Sequence, residues 1–133
     1  EHLGLVSALT ELSRKFADQS GIRVERRFAD QLPQLSDEAE IAVYRVAQES
    51  LTNVARHAAA SRVDVELHPG ADSVVLRVVD NGHGLPEDAA TLNGHAGIRG
   101  MRERALLVGG ALAVKRGRAG GVEVRLEVPA GER

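Results

Sequence analysis

The amino-acid sequence predicts an α+β fold, a two-layer α/β sandwich in which a mixed sheet of about five strands is covered on one face by about three helices. Residues 62–68 and 122–128 alternate apolar and polar side chains, so each of these strands leaves one face to water. Helix-like segments carry their apolar residues on one side only and can cover the other face of the sheet. Strands with one polar face need cover on one side, which makes two layers rather than three and excludes a doubly wound sheet. At 133 residues the chain reads as one domain, residues 1–133, large enough to bury a core without staples.

In residues 2–19, Leu5, Leu9, Leu12 and Phe16 are spaced by four, three and four, with Arg14, Lys15 and Asp18 elsewhere, which is an amphipathic helix ended by Gly21. Ile22, Val24 and Phe28 mark a first strand, and a polar loop containing Pro33 follows. Ser36 is an N-cap, with Asp37, Glu38 and Glu40 in the first turn where the helix dipole favours them. That helix is predicted to run to about Ala59. Val63, Val65 and Leu67 alternate with Arg62, Asp64, Glu66 and His68 in a half-exposed strand. After the turn at 68–73, residues 74–79 are apolar on both faces apart from Arg77, a more central strand ending at Asp80. Residues 81–97 are rich in Gly, Asn, Asp and Pro without periodicity, and a structureless segment of that length is more often a functional lid than a plain connection. A helix from about Ile98 to Val108 and a hairpin of 111–117 with 122–128 complete the chain, with Pro129 as the stop.

The chain has no cysteine and a formal charge of −2, which argues for a reducing interior and against a nucleic-acid or membrane surface. Phe16, Phe28 and Tyr44 are too few and too scattered to stack single-stranded bases. No apolar run approaches the roughly 20 residues that cross a bilayer, and the N-terminus lacks a signal-peptide pattern. The only methionine is Met101 and the chain opens on Glu1, so it is expected to be a piece of something longer.

Chemistry concentrates in two stretches, 48–58 and 80–84. On a regular helix Arg56, Glu49, Asn53 and His57 fall within an arc of roughly 100°. They form a polar stripe beside the arc of Val43, Ala47, Leu51, Val54 and Ala58 that should face the sheet. A carboxamide oxygen is a hard ligand suited to magnesium, and a neighbouring carboxylate can orient or deprotonate an attacking group. Taken alone, Glu49 and Asn53 are also an ordinary solvent-facing pair four residues apart. A solvated face, however, usually carries lysines and glutamates rather than Asn and His.

Asp80 ends a strongly apolar strand, where a carboxylate must find a donor or stay wet. An adenine amino group is such a donor, whereas guanine presents a carbonyl oxygen at that place, so a buried aspartate would discriminate between them. Gly82 and Gly84 would let the backbone approach a base that a Cβ would hold off. Asp-Asn-Gly is equally a tight-turn signal, but no matching strand follows Gly84. Gly94, Gly97 and Gly100 precede and open the next helix, whose free N–H groups suit phosphate. Arg99 and Arg102 read as exposed helix arginines sooner than as phosphate ligands. There is no Walker loop, no HExxH or other zinc-ligand spacing, and no GxSxG elbow.

With these residues and the order of elements, the chain resembles the catalytic ATP-binding domain of a sensor histidine kinase. More widely it is similar to the Bergerat-type ATPase fold shared with gyrase, Hsp90 and MutL. Residues 48–58 resemble the family's asparagine box, 80–84 its first glycine box and 94–105 its second, and the short lid and N-terminal segment look most like the NarL-type subgroup. The resemblance implies that Asn53 coordinates Mg2+, that Asp80 binds the adenine amino group of ATP, and that Gly82 and Gly84 border the adenine pocket. It further implies that Gly97 and Gly100 bound the hinge of the lid and that Arg56 and His57 contact phosphates. Glu49 matches a general base of the ATP-hydrolysing relatives, and in kinases of this type orients the metal or the acceptor histidine. The chain departs from the pattern at Gly121-Val122, where Gly-Thr is common, in its sparse second glycine box, and in having no phosphoacceptor box. The implied reaction is transfer of the γ-phosphoryl group of Mg-ATP to a histidine on a separate dimerisation domain of the same protein. The implied onward partner is a NarL/LuxR-type response regulator, in the cytoplasm, with no nucleic acid and no membrane contact by this domain. An anti-sigma-factor serine kinase of the same fold and a non-catalytic ATP-gated binding module are the competing readings.

Overall fold

The computed structural model describes residues 2–83, 97–117 and 120–131, with all side chains among them except those at 2, 3, 57 and 58. Helix α1 (His2–Ser20) buries Leu5 and Leu9 and ends where the Gly21 N–H reaches the Ala17 carbonyl at 2.9 Å. Strand β1 (Arg23–Phe28) follows. Ser36 caps α2 (Asp37–Asn53): its hydroxyl accepts the Ala39 N–H at 3.1 Å, and Asp37, Glu38 and Glu40 fill the first turn as predicted. The apolar face of α2 buries Ala39, Ala42, Val43, Val46, Ala47 and Leu51. Each such valine or leucine contributes about 1.5–3 kcal/mol relative to exposure.

Strands β2 (Arg62–Gly70) and β3 (Ser73–Asp80) form a hairpin, α3 (Ile98–Leu107) follows, and β4 (Ala111–Arg116) pairs with β5 (Val122–Pro129). The sheet order is β1-β2-β3-β5-β4. β1 and β2 are parallel and every other pair is antiparallel, so the sheet is mixed, as predicted, and α2 supplies the crossover that a parallel pair requires. β3 is the central strand. Register places Val65, Leu67, Leu76, Val78, Val124 and Leu126 on one face beneath the helices.

The other face carries the alternating polar residues, and its charges are paired across strands. Arg27 of β1 reaches Glu66 of β2 at 3.2 Å, and Arg77 of β3 reaches Glu66 at 3.2 Å and Glu123 of β5 at 2.8 Å. The one cation in the otherwise apolar run of β3 thus links three strands through two carboxylates.

One element departs from expectation. In place of a uniform helix to about Ala59, α-helical winding stops at Asn53 and Val54–Ala58 form a π-helical turn. Just upstream, the Ser50 hydroxyl donates to the Val46 carbonyl at 2.7 Å and the Thr52 hydroxyl to the Gln48 carbonyl at 3.0 Å, competition that loosens a helical ladder. Ala59 then terminates the turn at φ 51°, ψ 40°. A left-handed alanine carries a Cβ penalty, so Ala59→Gly is expected to raise stability by up to about 1 kcal/mol in urea unfolding, even after glycine's entropy cost. A destabilised variant would show that residue 59 does not hold this conformation in solution.

Candidate functional site

Four elements converge at one end of the sandwich. β3 ends at Asp80 opposite Val63, which α2 reaches through residues 59–61; α3 starts at Ile98 and β5 at Val122. Asn81 fastens this end. Its side-chain oxygen accepts the N–H groups of Ser61 and Arg62 at 3.0 and 3.1 Å, and its amide nitrogen donates to the Ser61 hydroxyl at 3.0 Å.

Asp80 shares the covered face with Val63 and is 5% exposed. Its carboxylate accepts the Gly82 N–H at 2.8 Å and the backbone N–H of Val122. Burial raises its pKa above the ordinary aspartate range, and the two N–H groups offset only part of that. The arrangement depends on Gly121. A Cβ built there overlaps the Asp80 carbonyl and carboxylate oxygens and lies 2.6 Å from its carbonyl carbon, so only glycine lets β5 press against the aspartate. The hydroxyl that Val122 lacks is therefore not the only support available: the residue gives Asp80 its N–H, while its side chain packs on the core.

On α2, Glu49 and Asn53 are both half-buried. The Asn53 side-chain oxygen is buried and accepts no hydrogen bond. The π turn winds fewer degrees per residue than the α-helix assumed for the stripe, and Arg56 is exposed. The side chain of His57 and all of Gly84 lie outside the described residues, as does most of the expected lid, 84–96.

Gly82 closes the turn that supplies the first N–H to Asp80. Gly97 is the N-cap of α3 at φ 82°, and a Cβ there would overlap the Glu49 carboxylate, with its carbon at 2.6 Å. Gly100 lies inside α3 facing open space. Arg102 differs from the exposed arginine expected, since it is half-buried and donates to the Leu112 carbonyl at 3.0 Å, tying α3 to β4. Among the described residues no group of three or more His, Asp or Glu could hold a metal by itself.

Residues 38–132 match the family described as histidine kinase-, DNA gyrase B-, and HSP90-like ATPase. The chain belongs to this ATPase family. It is 36% identical over 122 residues to the sensor histidine kinase MctS of Rhizobium johnstonii, covering 90% of this chain and 26% of that protein. With the sensor histidine kinase LiaS of Bacillus subtilis it shares 34% identity, over 97% of this chain and 35% of that protein. The chain thus spans about a quarter to a third of these curated relatives. The crystal structure of the ATP-binding domain of PrrB from Mycobacterium tuberculosis has the same fold, with TM-score 0.70 at 17% identity over 94% of this chain and 93% of that one. Helix α1 and β1 precede the matched span, yet β1 pairs with β2, and Leu5 and Leu9 join the same core as the rest of the ATPase domain.

Gly121 and Asn81 are site residues to which the sequence alone assigned no role, the first named only beside Val122 and the second only within its motif. The doubled glycine before β5 was the available signal for the first, and the second was hidden by the tight-turn reading of its motif.

Two outcomes follow from this geometry. Gly121→Ala should displace Asp80 and cost about 2–4 kcal/mol, the range of an overpacked and strained site, read by urea unfolding; wild-type stability would mean that β5 does not contact Asp80. For Asp80→Asn the sign comes from the raised pKa. The folded state holds the proton more tightly than the unfolded chain, whose aspartate titrates near about 3.9, so the stability conferred by protonation is full below that value and lost as pH rises through the folded pKa. The asparagine variant should therefore melt above the wild type at neutral pH, with the gap closing on acidification. A variant that melts lower at every pH would refute the assigned direction.

Proposed function

We propose that residues 1–133 form the catalytic ATP-binding domain of a two-component sensor histidine kinase, transferring the γ-phosphoryl group of Mg-ATP to a histidine on a separate dimerisation domain. The phosphoryl group then passes to a response regulator of the NarL/LuxR type, and the domain works in the cytoplasm. Among the described residues no helix is long and apolar enough to cross a membrane. The observations that carry the reading are a buried carboxylate at the end of β3, held by two backbone N–H groups and still raised in pKa by burial, and a buried, unpartnered carboxamide oxygen on α2.

In this reading Asp80 accepts the adenine amino group, fixed in place by Gly82, Val122 and the missing side chain of Gly121. A guanine carbonyl in its place would face an acceptor and lose the contact. Gly84 borders the same pocket. The Asn53 oxygen suits magnesium, which takes few protein ligands and completes its shell with phosphates and water. Bound there, the ion would supply charge neutralisation on the phosphate oxygens. Glu49, one turn before Asn53, orients the reacting groups, while Gly97 and Gly100 give the lid its hinge and present the N–H groups of α3. His57 and Arg56 contact phosphate, Arg56 from its exposed place on the π turn. Catalysis is then positioning and electrostatics, with the acceptor supplied by another domain.

Calorimetric titration of the domain with ATP and GTP tests this. ATP should bind with help from magnesium while GTP stays silent, Asp80→Asn should lose at least about ten-fold in ATP affinity, and Asn53→Ala should lose most of the magnesium effect. Equal binding of both nucleotides, or of neither, would refute the assignment.

A further inference from the structure

Glu49 stands in an unusual place for a helix-surface carboxylate. It packs directly on Gly97, the left-handed N-cap of α3, so closely that any side chain there would collide with it. The first hydrogen bond inside α3 runs from the Met101 N–H to the Gly97 carbonyl at 3.0 Å, so the N–H groups of Ile98, Arg99 and Gly100 precede the ladder, and among the described residues no side chain caps the helix. One turn further along α2 lies the unpartnered Asn53 oxygen. A carboxylate, a helix N-terminus and a candidate ligand for a hard cation are therefore neighbours. The Ser50 hydroxyl, whose proton goes to the Val46 carbonyl, lies 3.6 Å from the Met101 sulfur where α2 and α3 pack together.

From this juxtaposition we infer that Glu49 makes nucleotide binding depend on magnesium. The inference rests on the ATP-site reading above. A triphosphate directed at the start of α3 without a cation meets the Glu49 carboxylate, and the two anions repel. With a divalent ion at Asn53, the same carboxylate faces a positive centre and favours the complex. Glu49 thus acts as a charge gate: it discriminates against free ATP and admits the metal complex, whatever further part it plays in positioning the reacting groups.

The test is calorimetry on the whole domain with ATP in EDTA and with ATP in excess magnesium, for wild type, Glu49→Gln and Glu49→Asp. Glutamine keeps the shape against Gly97 and removes the charge. It should bind metal-free ATP at least about five-fold more tightly than wild type and bind Mg-ATP no better, so the magnesium effect shrinks. Aspartate keeps the charge one methylene back and should retain most of the magnesium effect. Melting curves taken alongside confirm that each variant is folded. An unchanged ratio of the two affinities in Glu49→Gln would overturn the gate, as would an equal loss in both conditions, which is what a purely structural strut gives. A wild-type domain that binds ATP in neither condition would instead overturn the ATP-site reading itself.

Discussion

A carboxylate buried at the end of the central strand is the constraint around which the functional end of this domain is arranged. Removed from water, Asp80 persists because backbone N–H groups reach it from two directions, the turn at Gly82 and the first residue of β5. The second is available only because Gly121 carries no side chain, and the first only because the following residue, Asn81, is tied back to the α2–β2 connection. Three parts of the chain distant in sequence are therefore committed to one side chain. Its ionised form costs the free fold stability, the usual sign of a group kept for a ligand.

Helix α2 has two duties that pull in different directions. Its apolar arc seals the sheet and provides the crossover between parallel strands, which favours regular winding. Its polar edge holds Glu49 and Asn53 out of full solvent, and directly after Asn53 the winding changes to π. Such turns occur disproportionately at functional sites, where an irregular ladder re-aims side chains that a regular helix would place elsewhere. Here the change of winding falls between Asn53 and Arg56, two residues of the expected stripe.

The fold was largely legible in the sequence because its signals are local. Alternation marked β2 and β5, Ser36 with three following acids marked the start of α2, and the apolar run of 74–79, broken only by Arg77, marked the centre of the sheet. Arg77 looked like an intruder in that run, and its reason lies outside it, in carboxylates of β2 and β5. The site was half legible. Asp80 and Asn53 stand out as the wrong chemistry for their surroundings, an acid after valines and a carboxamide on an apolar helix. Gly121 and Asn81 act through contacts with residues some 20 to 40 positions away, which no periodicity encodes. The π turn was illegible for a related reason: its composition is that of an ordinary helix end, and the hydroxyls that loosen the ladder become visible only with their acceptors.

Strand β1 lies at the margin of the sheet and contributes little to the core, yet it occupies every pairing position along β2 from Arg62 to Leu67. Without it, β2 would present an unpaired row of N–H and C=O groups beside Val63, Val65 and Leu67, a flat apolar edge of the kind that recruits other chains. With it, the outermost row carries Arg23, Glu25, Arg26 and Arg27, two of these arginines being paired with carboxylates, and charged side chains line the edge that another strand would have to approach. The segment ahead of α2 therefore gives this margin of the sheet a charged edge in place of an apolar one.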